Sequence, residues 1–258
     1  MKYTVKMFNK NDIFTLGVIS IIYLFIAYRL DFSFLSFLVE LPSAVSFITE
    51  EMLPVNWKSY NNYMTPLLDT FCVAIVSLIF SSAISFFLGF LCSEKTMHFK
   101  PIRNFVKSFA TVLRNIPNII WALMFVPAFG VGITTGIIAL TVGNIGDMTR
   151  FYYETIDEVD LELLSSLKAT GMSHLQVIRF GAIPQAIPGF ISWTIYSLES
   201  NIRSSAVIGL VGAGGIGMYI SNNLSLMKYN TAAMGILLIV VCAIVTEIIS
   251  NILRKRII

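Results

Sequence analysis

Four ionisable residues stand in otherwise apolar stretches of this chain: Arg114, Glu199, Arg203 and Glu247. A charge at the centre of a bilayer costs roughly 2.5–3.5 kcal/mol on insertion scales, so such residues face a cavity or a partner. Glu199 and Arg203 are four apart on one helical face, with the acid nearer the N-terminus, the better order for an ion pair. Two roles are open to them: neutralising each other within a packed interface, or lining a route for an anion. Guanidinium forks match the oxygens of an anion such as phosphate bidentately, which favours the second role for Arg203. Arg114 precedes Asn115, Ile116 and Pro117, where the proline frees backbone groups and can kink a helix. There Arg114 either snorkels to headgroups or joins the same route. The candidate pathway set is therefore Arg114, Asn115, Glu199, Asn201 and Arg203, while Glu247 reads as interfacial.

Other patterns carry less chemistry than they suggest. Gly212, Gly214 and Gly217 satisfy GxGxxG, but a dinucleotide fingerprint needs a preceding strand within a βαβ unit, and here it follows an apolar run. These glycines, with Gly215, read as close helix approach at a dimer interface or outer gate; a backbone nest for an arriving anion is the bolder alternative. His98 and His174 lie in different connections without cysteine or carboxylate partners at ligand spacing, so no metal site is expected. Ser173 and His174 are adjacent, pointing different ways, and no catalytic set is expected. Cys72, Cys92 and Cys242 sit in apolar runs and imply no disulfide. No GxxxxGK[ST] occurs, so any nucleotide hydrolysis belongs to another chain.

The elements that must hold these residues are membrane helices. The chain has 258 residues, 56% hydrophobic and 13% charged, with mean hydropathy +0.77. That excludes disorder, coiled coil and an ordinary soluble domain. Six apolar runs, 13–28, 66–91, 105–129, 131–148, 187–210 and 231–252, are too long and too uniform for barrel strands, which predicts a six-helix all-α membrane bundle in one domain. Lys2, Lys6 and Lys10 before the first run resemble a signal peptide's start, but no small-residue cleavage site follows and a retained helix is expected. With the N-terminus inside, the inner segments hold thirteen Lys and Arg against Arg29, Lys58 and Lys228 outside, so both termini are expected in the cytoplasm and the chain in a cell (inner or cytoplasmic) membrane, multi-pass. The basic clusters 95–107 and 254–256 are then helix flanks against lipid headgroups, not nucleic-acid patches. The outer segment 31–65, punctuated by Pro42 and Pro54, predicts two short interfacial helices.

The inner connection 149–186 is the most organised. Asp160 suits an N-cap for a helix over 161–170, Gly171 the left-handed position that ends it, and Ser173 with Gln176 a capping box for a second helix; Pro184 and Pro188 mark entry into the fifth run. The stretch LKATGMSHLQVIRFGAIPQAIPGF, 167–190, resembles the EAA loop of type I ABC importer permeases, with Gly171 on the family's glycine and Ile183-Pro184 on its final pair. It departs at the start, where Ser165, Ser166 and Leu167 replace Glu-Ala-Ala, and Glu162 lies one turn earlier. The resemblance makes Glu162, Ser165, Ala169, Gly171, Ser173, Ile183 and Pro184 the ATPase-coupling set. LRNIPNIIWALMFVPAFGVG, LESNIRSSAVIGLVGAGGIG and EEMLPVNW sharpen the likeness to phosphonate-type permeases over most of 31–258. It implies a homodimeric channel in membrane lipid, a cytoplasmic ABC ATPase dimer carrying ATP and Mg, and an extracytoplasmic substrate-binding protein. This chain itself would carry no cofactor. Methionine or phosphate importers share the machinery, and an intramembrane enzyme is a rival class for which no converging nucleophile, base and oxyanion donor is found.

Overall fold

Small residues decide how the central helices meet. In the computed structural model, which describes residues 10–30 and 33–256, Ser77, Ser81, Ser85 and Gly89 recur every fourth position along α3 (Tyr60–Cys92), and all four are buried. Their face packs on α6 (Ile133–Asp157), the most extensive helix pair in the molecule. A Cβ at Gly89 would stand 3.0 Å from that of Tyr152, and the Ser85 hydroxyl donates to the Ile145 carbonyl at 3.2 Å. This is close packing by small side chains, the usual solution where lipid removes any hydrophobic drive between helices.

The described residues form helices and their connections, with no strand among them, and fall into two units, each taken separately. The first, ending at Pro54, holds α1 (Lys10–Arg29) and α2 (Phe34–Phe47), which runs on as a π-helical turn over Ile48–Met52. Pro42 lies inside α2, so one helix stands where two short ones are expected; it gives up one backbone donor without ending the helix. The helix expected over 13–28 is α1, while Lys2 and Lys6 ahead of it lie outside the described residues.

The second unit, from Val55, contains α3, α4 (Lys100–Asn115), α5 (Asn118–Phe129), α6, α7 (Leu161–Ala169), α8 (His174–Val177), α9 (Ile183–Gly209), α10 (Gly215–Ser225) and α11 (Tyr229–Arg254). The expected single helix over 105–129 is two helices meeting at 86° across Ile116-Pro117. Proline starts this break, and α6 seats it. A Cβ at Gly146 would fall 2.5 Å from the Arg114 amide and 2.7 Å from the Ala110 carbonyl, and one at Gly143 would collide with the Asn118 side chain. Two further expectations shift. α6 continues past 148 to Asp157, and α9 begins at Ile183, fed without interruption by α8 and a π turn over Ile178–Ala182; the connecting loop is shorter than 149–186. Helix α10, between the fifth and sixth runs, is not anticipated by hydropathy.

By length and apolarity, two helices among the described residues qualify as membrane spans, 57–92 and 229–254, or four if two bent pairs each count once, against six expected. α6 and α9, at 25 and 27 residues, are long enough but are threaded with polar and charged side chains.

Candidate functional site

The loop after α6 is built by local capping. The Asp160 carboxylate accepts from the Glu162 amide at 2.8 Å and starts α7. Gly171, at φ +88°, ends that turn in the left-handed region, and Gln176 Oε1 accepts from the Ser173 amide at 2.8 Å to start α8. The Asp160 amide in turn donates to Gln185 Oε1 at 3.1 Å, closing the loop onto the first turn of α9, where Ile183 and Pro184 lie. Asp157 anchors the base by accepting from Ser93 Oγ at 2.5 Å and the Glu94 amide at 2.8 Å, while Lys95 Nζ donates to the Val159 carbonyl.

Within this frame Glu162, Ser165, Ala169, Gly171 and Ser173 are all exposed on one continuous loop. The Ser165 and Ser166 hydroxyls donate back to the Glu162 carbonyl, at 2.9 and 2.8 Å. Ser165 therefore spends its hydroxyl on its own helix and presents no carboxylate outward. Gly181, absent from the sequence-derived set, carries α7: a Cβ there would lie 2.7 and 2.8 Å from methyls of Leu167 and Leu164. His174 Nε2 lies 2.7 Å from the Thr96 carbonyl and its ring meets His98 edge-on at 4.8 Å, so the two histidines set apart in sequence brace α8 against the α3–α4 connection. Exposed Leu161, Leu163, Leu175 and Phe180 leave an apolar surface around the loop.

The charged candidates separate into distinct environments. Glu199 is buried, and its Oε1 accepts from Arg203 Nη2 at 3.0 Å, the pair expected from the four-residue spacing. Its Oε2 lies 3.6 Å from Arg254 Nη2 on the last turn of α11. One carboxylate thus serves two guanidiniums. Arg254, read from sequence only as a flank, is the residue missed; its partner is remote in the chain, beyond the reach of any spacing rule. The contact also sets depth. Glu199 lies over four turns into α9 yet level with the end of α11, so the pair sits near the end of the bundle rather than midway.

Arg203 faces a groove of about 510 Å³ between α9, α10 and α11, walled by residues such as Val207, Leu210, Ile220 and Val240. Glu247, two turns before the end of α11, lines the same groove. Asn201 does not face this groove. It is 1% exposed, accepts from Asn144 Nδ2 at 2.7 Å and donates to the Ala74 carbonyl and Ser77 Oγ at 3.3 and 3.4 Å, a polar knot joining α3, α6 and α9. Arg114 and Asn115 end α4 at the 86° break, away from the groove; Arg114 is half-buried, within electrostatic reach of Asp147 on α6. The structure brings Glu199 and Arg203 together and leaves Arg114, Asn115 and Asn201 elsewhere.

The glycine loop packs within one chain. Gly212, Gly214 and Gly215 have φ of +100°, +81° and +67°. The Gly132 amide donates to the Gly212 carbonyl at 2.9 Å, and the Ile216 amide to Thr70 Oγ1 at 2.8 Å. A Cβ at Gly217 would collide with the Ala206 carbonyl, so these glycines fold α10 back onto α9.

Residues 85–258, from the last turns of α3 through the loop to the C-terminus, match the family described as binding-protein-dependent transport system inner membrane component. The chain belongs to that family. It is 30% identical over 216 residues to the phosphite transport system permease protein PtxC of Stutzerimonas stutzeri, covering 84% of this chain and 78% of that one. It is 31% identical over 216 residues to the putative phosphite transport system permease protein HtxC of the same organism, covering 83% and 76%. The solved inward-facing MetNI methionine ABC transporter matches with a TM-score of 0.70 at 21% identity, covering 79% of this chain and 100% of that one, a likeness of fold. As a member of this permease family, the chain is the membrane-embedded, multi-pass component of a binding-protein-dependent ABC importer, a transport subunit rather than an enzyme.

Proposed function

We propose that this permease imports a phosphorus oxyanion, phosphite or a phosphonate, by alternating access. The carrying observation is 30% identity to a phosphite permease over 84% of the chain, joined to an arginine in an apolar groove. In this reading two copies form the pathway, an extracytoplasmic binding protein delivers the anion, and a cytoplasmic ABC ATPase dimer binds the loop from Glu162 to Pro184. ATP and Mg reside on that partner and supply the driving energy. The chain crosses a cytoplasmic membrane six times with both termini inside. Its own contribution is mechanical and electrostatic. The capped loop moves as one piece with α9, because α8 and the π turn run into it unbroken, so ATPase closure shifts the segment that carries Glu199 and Arg203. Arg203 then offers a fork to the oxyanion in a groove walled mostly by apolar side chains, through a charge-assisted hydrogen bond.

The test is gentle extraction of a C-terminally tagged chain, identification of co-purifying proteins, and proteoliposome uptake of phosphite, methylphosphonate, phosphate and methionine with the associated binding protein. ATP-dependent uptake of the phosphorus compounds is expected. Uptake of methionine alone, or a chain that emerges without any ATPase, overturns the reading.

A further inference from the structure

Arg254 ends the last helix, where a basic residue needs no more explanation than its topological flank, yet it reaches into the bundle. The Glu199 side chain is only 6% exposed, and its two oxygens are divided between two cations, Oε1 at 3.0 Å from Arg203 and Oε2 at 3.6 Å from Arg254. Oε2 accepts no hydrogen bond. We propose that Arg254 is a positioning residue that makes the Glu199–Arg203 pair separable, so that Arg203 can trade its carboxylate for a phosphorus oxyanion in the groove between α9, α10 and α11. This rests on the pathway reading of Arg203 given above.

The argument is one of stranded charge. Removing one partner from a buried ion pair leaves the other uncompensated, which is strongly destabilising. With Arg203 as sole partner, Glu199 would hold it, and an anion arriving in the groove would have to strand a buried carboxylate to bind. Arg254 removes that obstacle. At 3.6 Å it stands beyond hydrogen-bond range, and a shift of somewhat under ~1 Å, within reach of an arginine side chain, gives Oε2 a full charge-assisted bond of about 2.8 Å as Arg203 departs. The exposures fit this division: the Arg203 side chain is 47% exposed and lines the groove, whereas that of Arg254 is 30% exposed. Two guanidiniums on one carboxylate leave one positive charge over, and the groove is where it can be used. Glu247 lines the same groove and opposes a resident anion, which keeps the exchange reversible, as transport requires.

The experiment uses the full chain in nanodiscs, titrated with phosphite and with inorganic phosphate and followed by line broadening of the phosphorus NMR resonance, with the thermal unfolding midpoint of every variant measured in parallel. Arg203→Gln is expected to abolish binding, and Arg254→Gln to weaken it about tenfold, because Glu199 then retains Arg203. Arg254→Lys keeps the charge and should bind nearly as wild type. The deciding variant is Glu199→Gln combined with Arg254→Gln: a neutral amide needs no second cation, so binding should return. A double variant as weak as Arg254→Gln alone overturns the exchange, because Arg254 would then be acting on the anion or on the fold. Wild-type binding by Arg254→Gln beside a weak Arg203→Gln also overturns it while leaving Arg203 in the pathway. Wild-type binding by Arg203→Gln overturns the pathway reading and the exchange together.

Discussion

Asn201 shows how a polar residue in a membrane helix can be structural without being part of a route. Its amide satisfies Asn144, Ala74 and Ser77 at once, so truncation leaves buried donors and acceptors unpaired. Asn201→Ala should cost about 1–3 kcal/mol, seen as a lower unfolding midpoint in detergent, with transport per folded molecule preserved. A variant as stable as wild type would show that the knot is not holding α3, α6 and α9. Ser165 makes the opposite case. Its hydroxyl is turned onto its own helix, and the position is exposed, so Ser165→Glu adds an outward carboxylate without disturbing packing. Association with the ATPase, measured by co-purification yield, should rise or stay level; clear loss of assembly would mean that Ser165 does not occupy the family's glutamate position. At this scale the sequence was partly readable. The Glu199–Arg203 pair follows from helical spacing and the caps at Asp160, Gly171 and Ser173 from local chemistry. Asn201 and Asn144, 57 apart, and Glu199 with Arg254 meet only through the fold, where no periodicity reports them.

Among the elements, the break between α4 and α5 is where proline and glycine divide the labour. Pro117 removes a backbone donor, but the 86° angle is held from outside, by the seats at Gly143 and Gly146 on α6. The two residues should therefore respond differently. Gly146→Ala places a methyl 2.5 Å from the Arg114 amide and 2.7 Å from the Ala110 carbonyl, both backbone atoms that cannot swing aside. Overpacking of this kind costs about 1–3 kcal/mol, and the α4–α5 connection should become more sensitive to limited proteolysis. Pro117→Ala should leave the bend in place and change the unfolding midpoint little. Gly181→Ala provides the control: its methyl meets only the ends of Leu164 and Leu167, which can rotate away, so the effect should be smaller than at Gly146. Equal sensitivity at the three positions would refute this division. The kink at Pro117 is legible in the sequence but the break is not, because apolarity is continuous across 105–129 while the glycines that receive the bend lie on another helix.

For the whole molecule, the number of crossings turns on α6 and α9. Hydropathy scoring passes over both, since it treats every side chain as if it faced lipid. In α6 the polar residues Thr135, Asn144 and Thr149 are buried, and in α9 Ser197, Glu199, Asn201 and Ser205 are buried as well. Turned toward neighbouring helices, Asn144, Asn201 and Ser205 find hydrogen-bond partners and Glu199 lies against two arginines, so both helices can cross as inner members of the bundle. The exposed basic residues then decide direction. In a variant lacking Cys72, Cys92 and Cys242, single cysteines at Lys58 and Lys228 should react with an impermeant maleimide from outside intact cells. Cysteines at Lys168 and Lys255 should react only after the membrane is opened. If α6 and α9 failed to cross while the other runs did, Lys168 would stay on the outer side reached after α5 and label with Lys58 and Lys228, whereas Lys228 and Lys255, two crossings further on, would keep their sides. Outside labelling at Lys168 would place the capped loop beyond reach of any cytoplasmic ATPase and would remove the coupling mechanism with it.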